Sequence, residues 1–439
     1  MGAIASQIES IIGNAGITAW SELPAEQRQR YERAIAPGTT PEYMISPDSQ
    51  DALAEVVTWA HRDDVRLLPC GRGSKLDWGG LAEGVQVILS TERLNRLVEH
   101  ATGDMVVIVE TGLPFADLQA ALAPTNQFLS LDPAYPDRAT LGGIVATADS
   151  GALRQRYGGV RDLLIGISFV RADGQVARGG GKVVKNVAGY DLMKLMTGAY
   201  GTLGVLSQLI FRTYPLPEVA ATVVAVGDGE AIAQLTQSIL LSSLTPTALE
   251  LLAPVTTQSL GLDSGISNSF GLLVRFQSIP PSVEQQSTSV RKQAESVGLT
   301  TTFLQDASEA DLWKRLREKW DEPAHSDAIT CKMGVRPTCA IELLSALENL
   351  EDVQPTLATL HAGSGLGYLH LPADASPSVL QQVRQLCETH SGYLTVKRAP
   401  ISLKQSFDIW GIQSETLPLM QGLKQRFDSQ NLLSPGRML

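Results

Sequence analysis

The spacing of apolar residues along the chain changes around residue 216 and predicts two regions built from different elements. In the first region, Leu53, Val56 and Val57 recur at the spacing of a helix face, which predicts a helix over residues 47–64. Residues 4–35 are also predicted to be helical, with a break at 13–16. Short apolar runs rich in β-branched residues predict buried strands, at residues 65–69, 85–89, 105–109 and 163–170. A short helix over 115–122 and a hairpin closed by Asp173-Gly174 complete this region.

The second region alternates predicted strands with predicted helices. The strands are expected at residues 221–226, 272–276, 329–335, 356–361 and 393–397. The helices are expected at residues 283–296, 309–320 and 378–390, and after Pro337-Thr338. This alternation is typical of an antiparallel sheet covered by helices, so the predicted fold class is α+β. We find no internal repeat in the sequence.

Composition and charge narrow the classes of function. The chain has 439 residues, of which 44% are hydrophobic, enough for two or three domains with buried cores. Its net charge of −11 argues against binding to nucleic acid or to an anionic membrane surface, because both depend on clustered Lys and Arg. The first thirteen residues lack the basic region of a signal peptide, so a cytoplasmic location is expected.

The cysteines are too scattered to form a metal motif. Cys70, Cys331, Cys339 and Cys387 include no C-x-x-C pair, so neither a zinc ribbon nor an iron–sulfur cluster is predicted. Free thiols in a reducing compartment are the expected state.

Three glycine-rich segments carry the clearest chemical signal. They are Pro69-Cys70-Gly71-Arg72-Gly73-Ser74-Lys75, Thr140-Leu141-Gly142-Gly143 and Tyr200-Gly201-Thr202-Leu203-Gly204-Val205. Glycine lets the backbone approach a ligand closely, so that its amide groups can point at phosphate oxygens. Three such segments in one half of a chain indicate a long ligand such as a dinucleotide, although ordinary tight packing also uses glycine.

Two common nucleotide motifs are absent. The Rossmann spacing G-x-G-x-x-G fails after Gly71 and Gly73, because Leu76 occupies the third glycine position. The run ending in Gly181-Lys182 continues with Val183, so the hydroxyl that a P-loop places on Mg²⁺ is missing.

The three segments resemble the FAD-binding segments of the PCMH-type, or vanillyl-alcohol-oxidase-type, family, in the branch of FAD-linked D-2-hydroxy-acid dehydrogenases. Leu67 to Ser74 resembles that family's pyrophosphate loop, and Leu131-Asp132-Pro133 with Ala139 to Thr147 resembles its second segment. Lys185-Asn186-Val187-Ala188-Gly189-Tyr190-Asp191, leading into Gly198 to Leu206, resembles the third. The closing stretch Phe427-Asp428 to Gly436-Arg437 resembles the tail that returns to the flavin. Within the family the chain is most similar to the FAD-binding, non-catalytic subunit of glycolate oxidase.

The resemblance implies non-covalent FAD and four segments of chain. These are an N-terminal helical segment (1–36), a PCMH-type FAD-binding domain (37–216), a smaller α+β, ferredoxin-like cap domain (217–415) and a C-terminal tail (416–439). The residues expected to bind the cofactor are Pro69, Cys70, Gly71, Arg72, Gly73, Ser74, Lys75, Pro133, Thr140, Gly142, Gly143, Thr147, Gly204 and Val205. Among them, residues 71–75 can present consecutive amides, and Ser74, Thr140 and Thr147 can present hydroxyls. Arg72 and Lys75 either lend charge or are solvated.

The cap region departs from the family's metal-binding pattern. Relatives that oxidise D-hydroxy acids by themselves carry His-x-x-Gly-Asp-Gly-Asn-x-His and a downstream Glu-His, whereas here Ser364 replaces the Asp and the second His is one position late. An uninterrupted strand would place His361 and His370 on opposite faces, although the glycines between them could bend it. No metal ligand and no catalytic residue is therefore assigned. Lys332 and Arg336 could pair with a substrate carboxylate, and Lys182 and Lys185 with phosphate, or all four could be solvated.

The expected function is therefore that of the FAD-binding subunit of a glycolate oxidase or dehydrogenase complex. The resemblance implies a catalytic sister flavoprotein and an iron–sulfur subunit as partners, a small 2-hydroxy acid as substrate, and membrane association only through partners. Two alternatives stay open: a self-sufficient dehydrogenase with His361 or His370 as base, and a scaffold that has lost FAD.

Overall fold

The computed structural model describes residues 3–183, 189–263, 268–321, 328–350 and 355–438. The chain divides into two compact units. Unit 1 comprises residues 1–151, 158–216 and 412–439, and unit 2 comprises residues 152–157 and 217–411. Among the described helices, none has both the length and the apolar composition needed to cross a bilayer.

Unit 1 contains short helices around two main sheets. Its elements are α1 (Ala3–Ile12), β1 (Ile17–Ala19), α2 (Ala25–Glu32), β2 (Tyr43–Ile45), α3 (Gln50–Arg62), β3 (Leu67–Cys70), β4 (Val87–Ser90), β5 (Leu97–Ala101), β6 (Val106–Glu110), α4 (Phe115–Leu122), β7 (Gln127–Phe128) and α5 (Leu141–Ala146). After α6 (Arg154–Tyr157), which belongs to unit 2, follow α7 (Val160–Leu163), β8 (Leu164–Val170), β9 (Val176–Gly180), α8 (Leu192–Met196), β10 (Val205–Arg212) and β11 (Tyr214–Pro215).

The first sheet of unit 1 has the order β1-β2-β4-β3, with β2 and β3 both parallel to β4. The helix predicted over 47–64 is confirmed as α3, which begins after Ser49, whose side chain accepts a hydrogen bond from the Ala52 amide at 3.2 Å. The helical prediction for residues 4–35 was wrong at Ile17–Ala19, which form β1 and pair with β2. A three-residue strand is too short to show a period, so pairing alone reveals it.

The second sheet is antiparallel, with the order β5-β6-β10-β8-β9. The predicted hairpin is confirmed by the pairing of β8 with β9. Thr111 follows β6 and donates through Oγ1 to the Leu206 carbonyl on β10 at 3.0 Å. The Gly142 amide donates to the Thr111 carbonyl at 2.7 Å, so α5 is fixed against the end of this sheet.

Unit 2 is built on one eight-stranded antiparallel sheet covered by helices. Its elements are β12 (Val219–Gly227), α9 (Gly229–Leu240), β13 (Ala248–Leu252), α10 (Pro254–Ser259), β14 (Phe270–Ser278), α11 (Pro280–Ser296), β15 (Thr300–Gln305), α12 (Asp306–Asp321), β16 (Ile329–Gly334), α13 (Ala340–Glu348), β17 (Leu357–His361), β18 (Leu366–Leu371), α14 (Pro377–Thr389), β19 (Tyr393–Arg398) and α15 (Ile401–Ser406). Helix α16 (Leu417–Phe427) follows in unit 1.

The sheet of unit 2 repeats one topology twice, although the sequence shows no repeat. Its order is β15-β12-β14-β13-β17-β18-β16-β19. Each half is a β-α-β-β-α-β unit with its strands in the ferredoxin-like order 4-1-3-2, and β13 joins β17 at the centre. The repeat is one of topology, because a strand needs only alternating apolar and polar residues and many sequences supply that.

The two faces of this sheet differ in polarity. One face packs under α9, α11, α13 and α14 with residues such as Val223, Leu251, Ala358 and Val396 in the core. On the other face, α12 covers the first half through Leu312, Trp313 and Leu316. The opposite face of the second half carries polar and charged side chains instead, which makes it a candidate for chemistry.

Candidate functional site

A cleft of about 670 Å³ in unit 1 brings the three glycine-rich segments together. Every residue predicted to bind the cofactor lines it except Arg72 and Pro133. The lining also includes residues not predicted: Leu76, Thr91, Thr111, Ala146, Tyr200, Gly201, Leu206 and Arg437.

The parallel pairing of β3 and β4 positions the first loop. Parallel strands end at the same edge of a sheet, so residues 71–75 emerge beside Thr91. Thr91 donates to the Cys70 carbonyl from its amide at 2.8 Å and from Oγ1 at 3.2 Å. These bonds hold the start of the loop in place.

The amides of this loop are available to a ligand. Within the described part of the chain, the amides of Gly71, Arg72, Gly73 and Ser74 donate to no protein acceptor. Gly71, Gly73 and Ser74 belong to the lining of the cleft, so their amides are available to acceptors from a ligand. Consecutive amides of this kind bind phosphate oxygens, which fits a dinucleotide diphosphate.

A close contact between segments explains the glycine at position 71, and a left-handed backbone conformation explains the glycine at position 201. A Cβ on Gly71 would lie 2.2 Å from Oγ1 of Thr140, so the first and second segments touch at this point. Gly201 has φ of +72°, a left-handed conformation that favours glycine. Packing between the segments therefore requires glycine at Gly71, in addition to any need for space for phosphate.

The hydroxyls of the second segment form hydrogen bonds within that segment. Thr140 Oγ1 accepts from the Gly143 amide at 3.3 Å, and Thr147 Oγ1 donates to the Gly143 carbonyl at 2.8 Å. The Thr147 hydroxyl thus donates within the helix turn, and Thr147 also belongs to the cleft lining. Thr140 acts here as a helix cap.

The charged residues of the first loop have different roles. Lys75 is buried and pairs with Asp149, with Nζ and Oδ2 3.2 Å apart, so its charge is balanced within the protein. The Arg72 side chain is exposed and outside the cleft lining, while its carbonyl accepts from Arg30 at 3.3 Å. Pro133 is buried and also outside the lining.

Arg437 supplies positive charge to the cleft from the C-terminal tail. Its side chain is 3% exposed, and Nη2 donates to the carbonyls of Leu76 at 2.6 Å and Trp78 at 2.8 Å. Burial lowers its pKa to about 10, so the guanidinium stays charged at neutral pH. The tail resemblance included Arg437, but no pattern around it distinguishes it from the other arginines of the chain.

A buried ion pair anchors this tail. Lys424 on α16 donates through Nζ to Asp428 Oδ2 at 2.6 Å, to the Leu433 carbonyl at 2.9 Å and to the Thr202 carbonyl at 3.0 Å. Leu433 also forms a parallel bridge with Leu67 of β3. The tail is therefore tied to the third glycine-rich segment and to the strand that precedes the first.

Cys70 is the one cysteine in the cleft lining, and its thiol is protonated. Burial raises its pKa to about 12, with a further contribution from Glu92. Covalent attachment through a cysteine requires the thiolate as nucleophile. We therefore expect acid precipitation of the purified protein to release all of its FAD into the supernatant. Flavin absorbance that stays with the pellet would contradict this. The variant Cys70→Ser would then show whether Cys70 is the residue that attaches the flavin.

Unit 2 contains a second group of candidate residues, on the polar face of its sheet. His361 ends β17 and pairs through Nδ1 with Oε1 of Glu250 on β13, and both side chains are buried. Tyr368, on β18, has the ammonium of Lys397 over its ring at 4.6 Å. Lys332 lies opposite Tyr368 in the strand register and so shares this face.

His361 and His370 lie on the same face, contrary to the prediction from an uninterrupted strand. β17 and β18 form a hairpin in which His361 opposes Leu366 and His370 opposes Leu357. Paired residues share a face, and so do residues four apart on one strand. The turn before Leu366 thus reverses the expected relation.

His370 is unsuited to act as a base. Its ring is 2% exposed and packs edge-on against Trp320, with centroids 4.5 Å apart. Burial lowers its pKa to about 3, with smaller contributions from Arg398 and Lys397. It stays neutral at any ordinary pH.

The other cationic candidates have contacts of their own. Lys182 pairs with Glu99, with Nζ and Oε2 2.6 Å apart, and both side chains are exposed. Arg336 donates through Nη2 to Ser391 Oγ at 2.6 Å. Lys185-Asn186-Val187-Ala188, the start of the predicted third segment, lies outside the described residues.

Comparison with known proteins gives two family matches and several relatives. Residues 41–180 match the FAD binding domain family, and residues 216–386 match the C-terminal domain of FAD linked oxidases. Glycolate oxidase subunit GlcD of Bacillus subtilis is 26% identical over 91% of this chain and 89% of its own length. The mitochondrial D-lactate dehydrogenase [cytochrome] of Arabidopsis thaliana is 25% identical over 99% of this chain and 79% of its own length.

Two further similarities concern another subunit of glycolate oxidase and the fold. Glycolate oxidase subunit GlcE of Escherichia coli is 36% identical, over 39% of this chain and 48% of its own length. The structure of p-cresol methylhydroxylase superposes with a TM-score of 0.76 at 14% identity, covering 98% of this chain and 95% of that one. At that identity the similarity concerns the fold alone, and it confirms the predicted PCMH-type architecture.

Proposed function

This chain belongs to the FAD-linked oxidoreductases of the glycolate oxidase and D-lactate dehydrogenase family, and on that premise we propose that it serves as the FAD-binding subunit of a glycolate oxidase complex. The observation that carries the cofactor part is the run of unpaired amides at residues 71–74, of which Gly71, Gly73 and Ser74 line the cleft of unit 1. Bound FAD supplies the acceptor for the two electrons that leave the hydroxyl-bearing carbon of a 2-hydroxy acid. We place the complex in the cytoplasm, with membrane association only through partners.

In this proposal the residues of the cleft bind and orient the cofactor. The amides of residues 71–74 hold the diphosphate, and Arg437 offsets part of its negative charge. The Lys75–Asp149 pair is nearly neutral overall and fixes the loop. The tail that carries Arg437 is held by Lys424.

The role within a complex is supported by what surrounds His361. Among the described residues, the one group of three clustered metal-ligating side chains is Cys339, Glu342 and His390, which does not include His361. The partner of His361 is Glu250, and the charged neighbours on its sheet face, Lys332 and Lys397, are cations. We propose that a sister flavoprotein with the metal motif oxidises the 2-hydroxy acid and that an iron–sulfur subunit takes the electrons.

The Glu250–His361 pair favours a second candidate, a dehydrogenase that needs no partner. A carboxylate bound to Nδ1 fixes the tautomer of a histidine and strengthens it as a base at Nε2. His361 would then take the hydroxyl proton of the substrate, and Lys332 or Lys397 would pair with its carboxylate. Bound FAD would supply the two-electron acceptor that this oxidation requires, and the product would be the 2-oxo acid.

Anaerobic mixing of the purified chain with glycolate or D-lactate separates the candidates. A member of a complex is expected to show a bound-flavin spectrum that stays oxidised until the partner subunits are added. Rapid bleaching by the acid alone supports the independent dehydrogenase. A colourless protein that takes up no added FAD would contradict both.

His361→Gln tests the second candidate directly. If His361 is the base, flavin reduction should slow by about 10²- to 10⁴-fold while FAD content stays constant. Glu250→Gln should slow it less, because the imidazole remains but loses its anionic partner. An unchanged reduction rate in His361→Gln would exclude His361 as the base.

A further inference from the structure

Cys339, Glu342 and His390 form a compact cluster in unit 2 that the proposed function does not use. Their ligand atoms, one from each side chain, all lie within 4.8 Å of one another. Nδ1 of His390 and Oε2 of Glu342 are 3.6 Å apart. The cluster shares no residue with the group around His361 and Glu250.

Two helix ends create this cluster. Cys339 closes the 3₁₀ turn Pro337–Cys339 and occupies the N-cap position of α13, and Glu342 lies three residues further, in the first turn. His390 is the C-cap residue of α14. Residues at N-cap and N3 project toward the same end of a helix, so Cys339 and Glu342 are brought together by the local geometry.

The backbone fixes the third ligand against the first two. The Arg336 amide donates to the His390 carbonyl at 3.3 Å, and the Arg336 side chain donates to Ser391 Oγ at 2.6 Å. The 3₁₀ turn that carries Cys339 is therefore hydrogen-bonded to the end of α14, where His390 lies.

We propose that Cys339, Glu342 and His390 bind a Zn²⁺ ion, with water as the fourth ligand. A thiolate, an imidazole and a carboxylate are all common zinc ligands, and three protein ligands plus water is the pattern of open zinc sites. The two anionic ligands balance the charge of the ion. Ca²⁺ and Mg²⁺ are disfavoured because they take oxygen ligands and avoid thiolate.

The distances agree with tetrahedral binding after a small adjustment. Zinc bonds of about 2.0–2.3 Å place tetrahedral ligand atoms roughly 3.3–3.7 Å apart. The His390–Glu342 separation of 3.6 Å already lies in that range. The two separations that involve Cys339, which are at most 4.8 Å, must close by up to about 1.1–1.5 Å. Rotation of the half-buried Cys339 and the 69%-exposed Glu342 side chains can accommodate this.

Cys339 differs from the other three cysteines in its environment. Burial raises the pKa of the thiols of Cys70, Cys331 and Cys387. A metal ligand must be the thiolate, so those three are poor ligands. Cys339 is half-buried, as is Cys70, but among the described residues it is the cysteine that clusters with an imidazole and a carboxylate.

The test is metal binding by the chelator-treated full-length protein, with Co²⁺ as a spectroscopic substitute for Zn²⁺. We expect one equivalent of Co²⁺ to give d–d bands of tetrahedral intensity at wavelengths beyond the flavin absorption, together with thiolate charge transfer, both displaced by Zn²⁺. Calorimetry with Zn²⁺ should show one binding site.

Single-ligand variants identify the site. Cys339→Ser, Glu342→Gln and His390→Gln should each weaken Zn²⁺ binding by at least about 10-fold, since even the loss of an outer partner costs that much. Glu388→Gln, an exposed acid on α14, is the matched control and should bind as the parent does. Circular dichroism and the FAD content verify that each variant is folded.

Two results would overturn the proposal. One is the absence of stoichiometric Zn²⁺ binding at micromolar concentration. The other is Zn²⁺ binding that all three variants retain, or Co²⁺ binding that lacks thiolate charge transfer. If Zn²⁺ binding were then lost in His361→Asn, the ion would lie on the polar sheet face instead. Neither result depends on oxidation of a 2-hydroxy acid, so the zinc proposal and the proposed function can fail separately.

Discussion

Gly71→Ala should lower FAD affinity by roughly 5- to 150-fold, which corresponds to an overpacking cost of about 1–3 kcal/mol. The added Cβ would lie 2.2 Å from Thr140 Oγ1, 3.0 Å from its Cγ2 and 3.1 Å from its Cβ. Rotation of the Thr140 side chain only places its methyl group where its hydroxyl was, so the added Cβ is accommodated by movement of the loop backbone. The amides of residues 71–74 would then move from the positions in which we propose that they hold the diphosphate.

FAD content after purification and titration of the apoprotein with FAD measure this effect. Gly422→Ala is the matched control, because its Cβ would meet nothing within 4 Å on the exposed α16. That control should leave FAD affinity unchanged and slightly stabilise the helix. Normal FAD affinity in Gly71→Ala would show that the amides of residues 71–74 do not hold the cofactor.

Lys424→Met should lower the free energy of unfolding by about 3–5 kcal/mol, because it leaves a buried carboxylate without its partner. The Asp428 side chain is 0% exposed, and it also accepts from the amides of Leu432 at 2.9 Å and Leu433 at 2.7 Å. Without Lys424, the Thr202 and Leu433 carbonyls also lose a donor. The tail should loosen, and since it carries Arg437 to the cleft, FAD binding should weaken as well.

Thermal unfolding with and without added FAD measures both consequences. Lys314→Met removes another lysine from an i, i+4 pair, with Glu318, but that pair is exposed and should matter by less than about 0.5 kcal/mol. The double variant Lys424→Met/Asp428→Leu should recover part of the lost stability, because no uncompensated charge remains buried. Equal, small effects of Lys424→Met and Lys314→Met would show that the tail is not anchored by this pair.

Elements with a local signal were the ones that could be predicted. Helix α3, the strand that ends at Cys70 and the hairpin of β8 and β9 belong to this group, because a cap, a period or a turn is written in neighbouring residues. Strand β18 was missed, and with it the shared face of His361 and His370, because the turn before it interrupts a short run. Strand β13, whose Glu250 pairs with His361, has no clear signal either.

Inside the cleft, too, features with a local sequence signal were predicted, and contacts between distant residues were not. The glycine-rich segments identified its walls, but the Lys75–Asp149 pair and the use of the Thr147 proton within α5 became visible only in three dimensions. Lysines and threonines have several possible partners, and nothing in the neighbouring sequence says which partner packing will supply.

The α+β class, the kind of ligand that three glycine-rich segments can hold, and the order of most helices and strands all follow from the amino-acid sequence. Which distant residues meet follows only from the folded chain: Glu250 with His361 across 111 positions, Lys424 with Thr202 across 222, and Arg437 with Leu76 across 361. Secondary structure depends on neighbours a few residues away, and its signals survive in any single stretch of chain. Contacts between residues hundreds of positions apart depend on how the strands, helices and tail within each unit pack, and no single stretch of sequence contains that information.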